Sequence, residues 1–214
     1  TILYYHMYIP KHNLLKDKDR EDLIAFMKKY SFGTVITVKE NLPVATHLPF
    51  LISERDNEII LTSHFAKVNS QWKDIECNKS LVIFTEPHPY ISPQLYETEI
   101  NVPTWNHVAI HAYGQCKIIK DEDQLYQILE KTIESYEISY KLQWDRLPHD
   151  YKTKMMKGIV VFEIKVDEIQ AKEQLSQYKP VAEQFKIMSS LEASDNSHEK
   201  RLSAYMKINL GEMK

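Results

Sequence analysis

Apolar residues recur along this chain at two different periods, and the changes of period divide it into elements. Over residues 19–30, Leu23, Phe26, Met27 and Tyr30 fall at helical spacing, with Asp17 or Asp19 placed to cap the helix. The pattern then turns to strands. Residues 33–39 (GTVITVK) are rich in β-branched side chains, and residues 43–52 (PVATHLPFLI) and 58–63 (EIILTS) read as the next strands. Arg55, Asp56 and Asn57 form the turn between the last two. Residues 66–76 predict a short helix carrying Trp72, and residues 80–85 (SLVIFT) a buried strand. Residues 107–119 predict a long strand with a bend at Gly114.

The second half is more helical. Leu125, Ile128, Leu129, Thr132, Ile133 and Tyr136 form one stripe over residues 121–140, and Asp121 with Gln124 has the form of a capping box. Pro148 opens a short helix ending near Gly158, and residues 159–166 (IVVFEIKV) form a strand. From Pro180 onward the pattern is helical, with Phe185, Met188 and Leu191 apolar. The polar residues 189–200 read as a loop between two tail helices. The class is therefore mainly β with helices (α+β), and an antiparallel barrel with packed helices fits better than βαβ alternation. Residues 7–179 are expected to form the main domain, with residues 180–214 a helical tail packed on it. Met7 is the expected natural start and residues 1–6 an upstream remnant.

Composition narrows the function. The 214 residues are 43% hydrophobic and 27% charged, enough for a real core. A net charge of -3, with basic and acidic residues interspersed, gives no electrostatic footprint for nucleic acid. The two cysteines, Cys77 and Cys116, form no CxxC pair or disulfide framework. With no signal peptide and no apolar run of membrane length, a cytoplasmic setting is expected. The four glycines form neither GxGxxG nor a Walker loop, which argues against Rossmann and P-loop nucleotide sites.

Candidate chemistry concentrates in two places. Residues 88–114 gather Tyr90, Tyr96, Trp105 and Tyr113 with His88, His107 and His111. Such amphipathic bulk fits a concave binding site and equally a core-capping loop. Residues 61–72 run from a strand end into a helix start. They offer the hydroxyls of Thr62 and Ser63, the donor His64 and the cation Lys67, the set a phosphate needs. A helix cap beside a solvated lysine would use the same residues. His107 and His111, four apart on a strand, are separated by roughly 13 Å and cannot share one ion, so no metal site is expected. Cys77 and Cys116 read as inert thiols, and no GxSxG elbow exists. No catalytic residue is assignable, and whether the chain is an enzyme is left open.

Several segments together carry a family signature: Met7-Tyr8-Ile9-Pro10, residues 45–50 (ATHLPF), 64–72 (HFAKVNSQW), 87–93 (PHPYISP), 102–106 (VPTWN) and 175–177 (LSQ). In this order they resemble the PaiB family of FMN-binding negative transcriptional regulators. The resemblance extends from Met7 to about Gln177. It implies a split β-barrel, antiparallel and Greek-key-like, spanning residues 7–179, and a homodimer with FMN at the subunit interface. It assigns backbone contacts with the isoalloxazine edge to the strand around Thr46, His47 and Leu48. The phosphate falls to Thr62, Ser63, His64 and Lys67, with Gln71 and Trp72 behind them. It also implies a partner-subunit contact at Trp105 and Asn106 and a C-terminal contact at Lys172, Ser176 and Gln177. A DNA-binding role comes from the resemblance alone, since no basic recognition helix is present. A flavin-dependent oxidoreductase is the alternative, with His47, His64, His88 and His107 available to move protons. A haem-handling protein is the remaining one.

Overall fold

The structure, a computed structural model, describes residues 7–10 and 20–211. The expected caps Asp17 and Asp19 and the remnant at residues 1–6 lie outside the described residues. Helix α1 (Arg20–Lys29) places Glu21 and Asp22 in its first turn and Lys28 and Lys29 in its last, which suits the helix dipole. It buries Ile24, Phe26 and Met27.

Strands β1 (Phe32–Lys39) and β2 (Leu42–Pro49) form an antiparallel hairpin in the register Lys39↔Leu42. Strands β3 (Leu51–Arg55) and β4 (Glu58–Ala66) form another, in the register Arg55↔Glu58. Both turns have two residues at positive φ, Glu40 (50°) with Asn41 (64°) and Asp56 (52°) with Asn57 (66°). That geometry matches the twist of the flanking strands. The single strand expected over residues 43–52 is thus two strands. Pro49 has no N–H to donate, and the Phe50 N–H turns away to Ser31 O at 2.8 Å, which breaks the run.

With β5 (Lys79–Thr85), β8 (His107–Ile118) and β9 (Ile159–Gln174), these strands make a seven-stranded sheet in the order β2-β1-β5-β8-β9-β4-β3. Among the described residues no ladder joins the edge strands β2 and β3, so the sheet is open. The class is the expected one, a large antiparallel sheet with helices. Gly114 does not end or divide β8, which runs unbroken through it. A Cβ there would lie 2.1 Å from Lys165 O, so the glycine is needed for the close approach of β9.

Strands β6 (Tyr90–Ile91) and β7 (Thr104–Trp105) form a separate two-stranded ladder. Helix α2 (Glu122–Tyr136) is capped by Asp121, whose side chain accepts from Gln124 N–H. It stops short of the expected residue 140, giving way to a 3-10 turn and then α3 (Lys141–Arg146). Helix α4 (His149–Met156) follows Pro148 as expected. The helix expected over residues 66–76 is reduced to a 3-10 turn, Ser70–Lys73, because β4 continues through Ala66. In the tail, α5 (Val181–Ala193) runs into the stretch read as a loop, because Leu191 is buried, and the loop between the two tail helices is only residues 194–196. Asn196 then caps α6 (Ser197–Asn209).

The described residues pack into two compact units, one made of Ile24–Phe84 and His111–Ile169, the other of 85–110, 170–211 and the described residues before 24. The first is centred on Val35, Leu61, Phe65, Phe84 and Phe162, all fully buried. Within it the Phe65 and Phe162 rings stack at 4.8 Å, and Phe50 meets Phe84 edge-on at 5.6 Å. The second is centred on Ile91, Ile187, Met188 and Leu202. No helix among the described residues is long and apolar enough to cross a membrane.

Candidate functional site

In the sheet unit the predicted residues fall on β2, β4 and the turn that follows β4. Thr46, His47 and Leu48 lie on the edge strand β2, with His47 exposed and stacked at 6.4 Å on the exposed Phe32 ring. Thr62 and Ser63 are buried neighbours on β4, so their side chains point to opposite faces. The Ser63 hydroxyl donates to Pro49 O at 2.7 Å and has no second proton to offer a ligand. Burial lowers the pKa of His64, which keeps its ring neutral at pH 7.

Gln71 is committed to the protein. Its amide nitrogen donates to Thr37 Oγ1 at 3.1 Å and Val44 O at 3.0 Å, and its Oε1 accepts from the Thr46 hydroxyl at 2.6 Å. Asn69 completes this network, its Nδ2 donating to Thr46 Oγ1 at 3.0 Å and its Oδ1 accepting from Gln71 N–H. These bonds lock the turn at residues 67–71 onto the β1–β2 hairpin.

Lys67 sits in that turn with its backbone held from both sides. Its N–H donates to Gly158 O at 2.8 Å, and its carbonyl accepts from Trp72 Nε1 at 3.0 Å. Its exposed side chain lines a cavity of about 490 Å³. Four lysines, Lys67, Lys120, Lys152 and Lys157, stand in that wall against two acids, Glu122 and Asp123. Lys152 is 6% exposed. Its Nζ donates to the Tyr126 hydroxyl at 3.2 Å and lies 5.0 Å from the Trp144 ring centroid. No carboxylate pairs with it among the described residues; its neighbours there are the Tyr126 hydroxyl and the Tyr126 and Trp144 rings, in a wall of four lysines against two acids. An anion is what such a wall would attract.

Of these cavity residues the sequence reading named only Lys67. Lys120, Lys152 and Lys157 were missed because nothing in their spacing marks them. They meet only where α4 and the start of α2 close on the turn after β4.

In the second unit the other predicted residues cluster as well. Trp105 on β7 is 56% exposed and meets Tyr90 edge-on at 6.0 Å. Asn106 is fully buried, its Oδ1 accepting from the Ser176 hydroxyl at 3.1 Å. Its Nδ2 is buried with no partner, an unmet donor of a kind folded proteins seldom leave. Ser176 holds a left-handed backbone, φ 59°, at the end of β9. The Gln177 side chain closes the same corner, accepting from Leu175 N–H and donating to Glu173 O, both at 2.7 Å. Lys172 is half-buried near enough to His107 that, after burial itself, its charge helps to lower the histidine's pKa.

Comparison with known proteins adds an independent line. A family model described as "Putative FMN-binding domain" matches residues 7–168. The "Protease synthase and sporulation protein PAI 2" of Bacillus subtilis (strain 168) is 38% identical over 207 residues, covering 95% of this chain and 98% of that one. Two solved structures share the fold. The flavocytochrome Anf3 from Azotobacter vinelandii has a TM-score of 0.58 at 16% identity, over 73% of this chain and 67% of that one. The FAD and heme binding protein from Mycobacterium smegmatis has a TM-score of 0.58 at 14% identity, over 78% of this chain and 77% of that one.

Proposed function

Because this chain belongs to the PaiB family of FMN-binding-domain proteins, we propose that it binds FMN as a homodimer and acts as a flavin-dependent regulator. One observation carries the flavin reading: Lys67, with its N–H and its carbonyl both held, faces a cavity with three further lysines. A phosphate monoester is the part of FMN such a wall would hold, since lysines make strong charge-assisted hydrogen bonds to phosphate oxygens and a held backbone lowers what must be ordered on binding. Trp105 and Asn106 belong to the partner-subunit contact that the family resemblance implies, and the exposed Trp105 offers an aromatic face for it. Thr62 and Ser63 contribute by shaping β4, since both are buried and the Ser63 proton is already used. Bound flavin brings redox chemistry, and the chain supplies orientation and electrostatics.

The test is an absorbance spectrum of the purified protein followed by titration with FMN and with riboflavin. FMN should bind more tightly than riboflavin, and Lys67→Ala should remove most of that difference. Equal affinities for the two ligands in the unaltered protein would overturn the phosphate assignment. A haem Soret band in place of flavin bands would decide for the haem alternative.

The regulatory half of the proposal follows the family resemblance, and the name of the Bacillus relative ties that protein to protease synthesis and sporulation. With a net charge of -3 and interspersed acids, regulation through a protein partner or metabolite fits this chain better than direct DNA contact. A gel shift with its own promoter region at low salt should show no retardation. The oxidoreductase alternative would use His107, whose Nδ1 donates to Trp105 O at 3.2 Å and so leaves Nε2 to accept a proton. Rapid flavin reduction by NAD(P)H, lost in His107→Gln, would decide for it.

A further inference from the structure

Three segments far apart in sequence bring ligand-type side chains to one place in the second unit. Glu86 follows β5, His88 precedes β6, and His198 is the second residue of α6. Their donor atoms all lie within 4.8 Å of one another. His198 Nδ1 is 3.0 Å from a Glu86 carboxylate oxygen. The His88 and His198 rings have centroids 5.7 Å apart, with planes inclined at 59°.

We propose that Glu86, His88 and His198 form a binding site for a divalent transition-metal ion of the zinc class, with coordination positions left open to solvent. Two imidazoles and one carboxylate are donors that such ions prefer, whereas calcium and magnesium take oxygen ligands. Three protein ligands also leave room for water or a small ligand, as open zinc sites do. Around a tetrahedral ion with bonds of about 2.0–2.2 Å, neighbouring donor atoms stand roughly 3.3 Å apart. The Glu86–His198 pair is already near that spacing. The third donor, on His88, is exposed in its loop and lies within 4.8 Å of the other two.

The backbone under each ligand is held. Glu86 N–H donates to Val108 O at 3.4 Å, and Asn106 N–H holds Pro89 O, next to His88, at 3.0 Å. His198 N–H donates to the Asn196 cap at 2.9 Å. An ion pair between Glu86 and His198 would have no use for a third ligand. Among the described residues His88 has a ring contact with His198 but no hydrogen bond of its own, and a shared ion gives it a partner. The site lies close to the aromatic residues of the same unit, since Tyr90, two residues beyond His88, meets Trp105 edge-on.

The proposal is independent of the flavin reading, because none of its three ligands belongs to the proposed flavin site. The test uses the whole chain without a histidine tag, stripped with chelator, in a Cys77→Ser background, since the exposed Cys77 thiol would itself take zinc. Titration with Zn²⁺ by calorimetry should give one ion per chain. Loss of an outer-shell partner weakens metal sites roughly 10–100-fold, so His88→Ala should weaken binding by at least about tenfold. His198→Ala should do the same, and Glu86→Gln should weaken binding in the same direction. His88 is exposed, so its replacement leaves the packing intact and keeps the test clean if the other variants lose stability. Zinc affinity unchanged in His88→Ala, or no zinc binding by the parent protein, overturns the site. Neither result bears on the comparison of FMN with riboflavin.

Discussion

At the scale of single residues, burial sorts groups that look alike in the sequence. Cys116 is 4% exposed, and burial, reinforced by the nearby Glu76 carboxylate, pushes its thiol pKa far above the ordinary value. Cys77 is exposed. A thiol reagent should therefore label one cysteine in the native chain and two after denaturation, which mass spectrometry would count. Burial also lowers the pKa of His64, His107 and His111. Between those lowered values and the unfolded value of about 6.5, the unfolded chain binds more protons than the folded one. Stability should then fall as the pH drops through about 6.5, seen as a lower urea midpoint at pH 5.5 than at pH 7.5. A flat profile would mean that these rings are solvated. Gln71 belongs here too. Gln71→Leu removes a buried amide shared by Thr37, Val44 and Thr46 and should cost about 1–3 kcal/mol, measured by urea unfolding.

At the scale of elements, the strands are set by local chemistry and their limits by neighbours. The hairpins at Glu40-Asn41 and Asp56-Asn57 need two consecutive positive-φ residues, and asparagine tolerates that conformation better than most residues. Only the second turn was marked in advance by its residues. Gly114 was read as a bend because glycine in a strand commonly marks one. The actual constraint is the Lys165 carbonyl across the ladder, which no sequence pattern records. Gly114→Ala should therefore force β8 and β9 apart and destabilise the protein by at least about 1–3 kcal/mol, with a lowered thermal midpoint. Asp121→Ala, at the cap of α2, should cost about 1 kcal/mol by comparison. If the two substitutions cost the same, the close approach at Gly114 is not the constraint described.

At the scale of the whole molecule, the proposed function calls for two chains. Phe32, Val38 and Leu42 on the β1–β2 hairpin are large apolar residues left exposed in the single chain. Sedimentation should give a particle of twice the 25.3 kDa chain mass, and diluting the dimer below its dissociation constant should release flavin along with the subunits. A monomer that retains FMN would separate flavin binding from dimer formation.

The sequence by itself determined most of the element types, the antiparallel α+β class and the family, because periodicity, turn residues and local motifs are written in contiguous stretches. It marked Lys67, Trp105 and Asn106 for the same reason, each lying inside a recognisable motif. It misjudged the helix over residues 66–76 and the loop over 189–200, where packing overrode local composition. Only the tertiary structure decided what surrounds those residues. The wall of Lys120, Lys152 and Lys157 facing Lys67 is assembled from elements far apart in sequence. So is the approach of His198 to Glu86 and His88, and so are the bonds that spend Gln71 and Ser63 inside the protein. Such arrangements depend on which distant segments meet, and spacing along the chain carries no record of that.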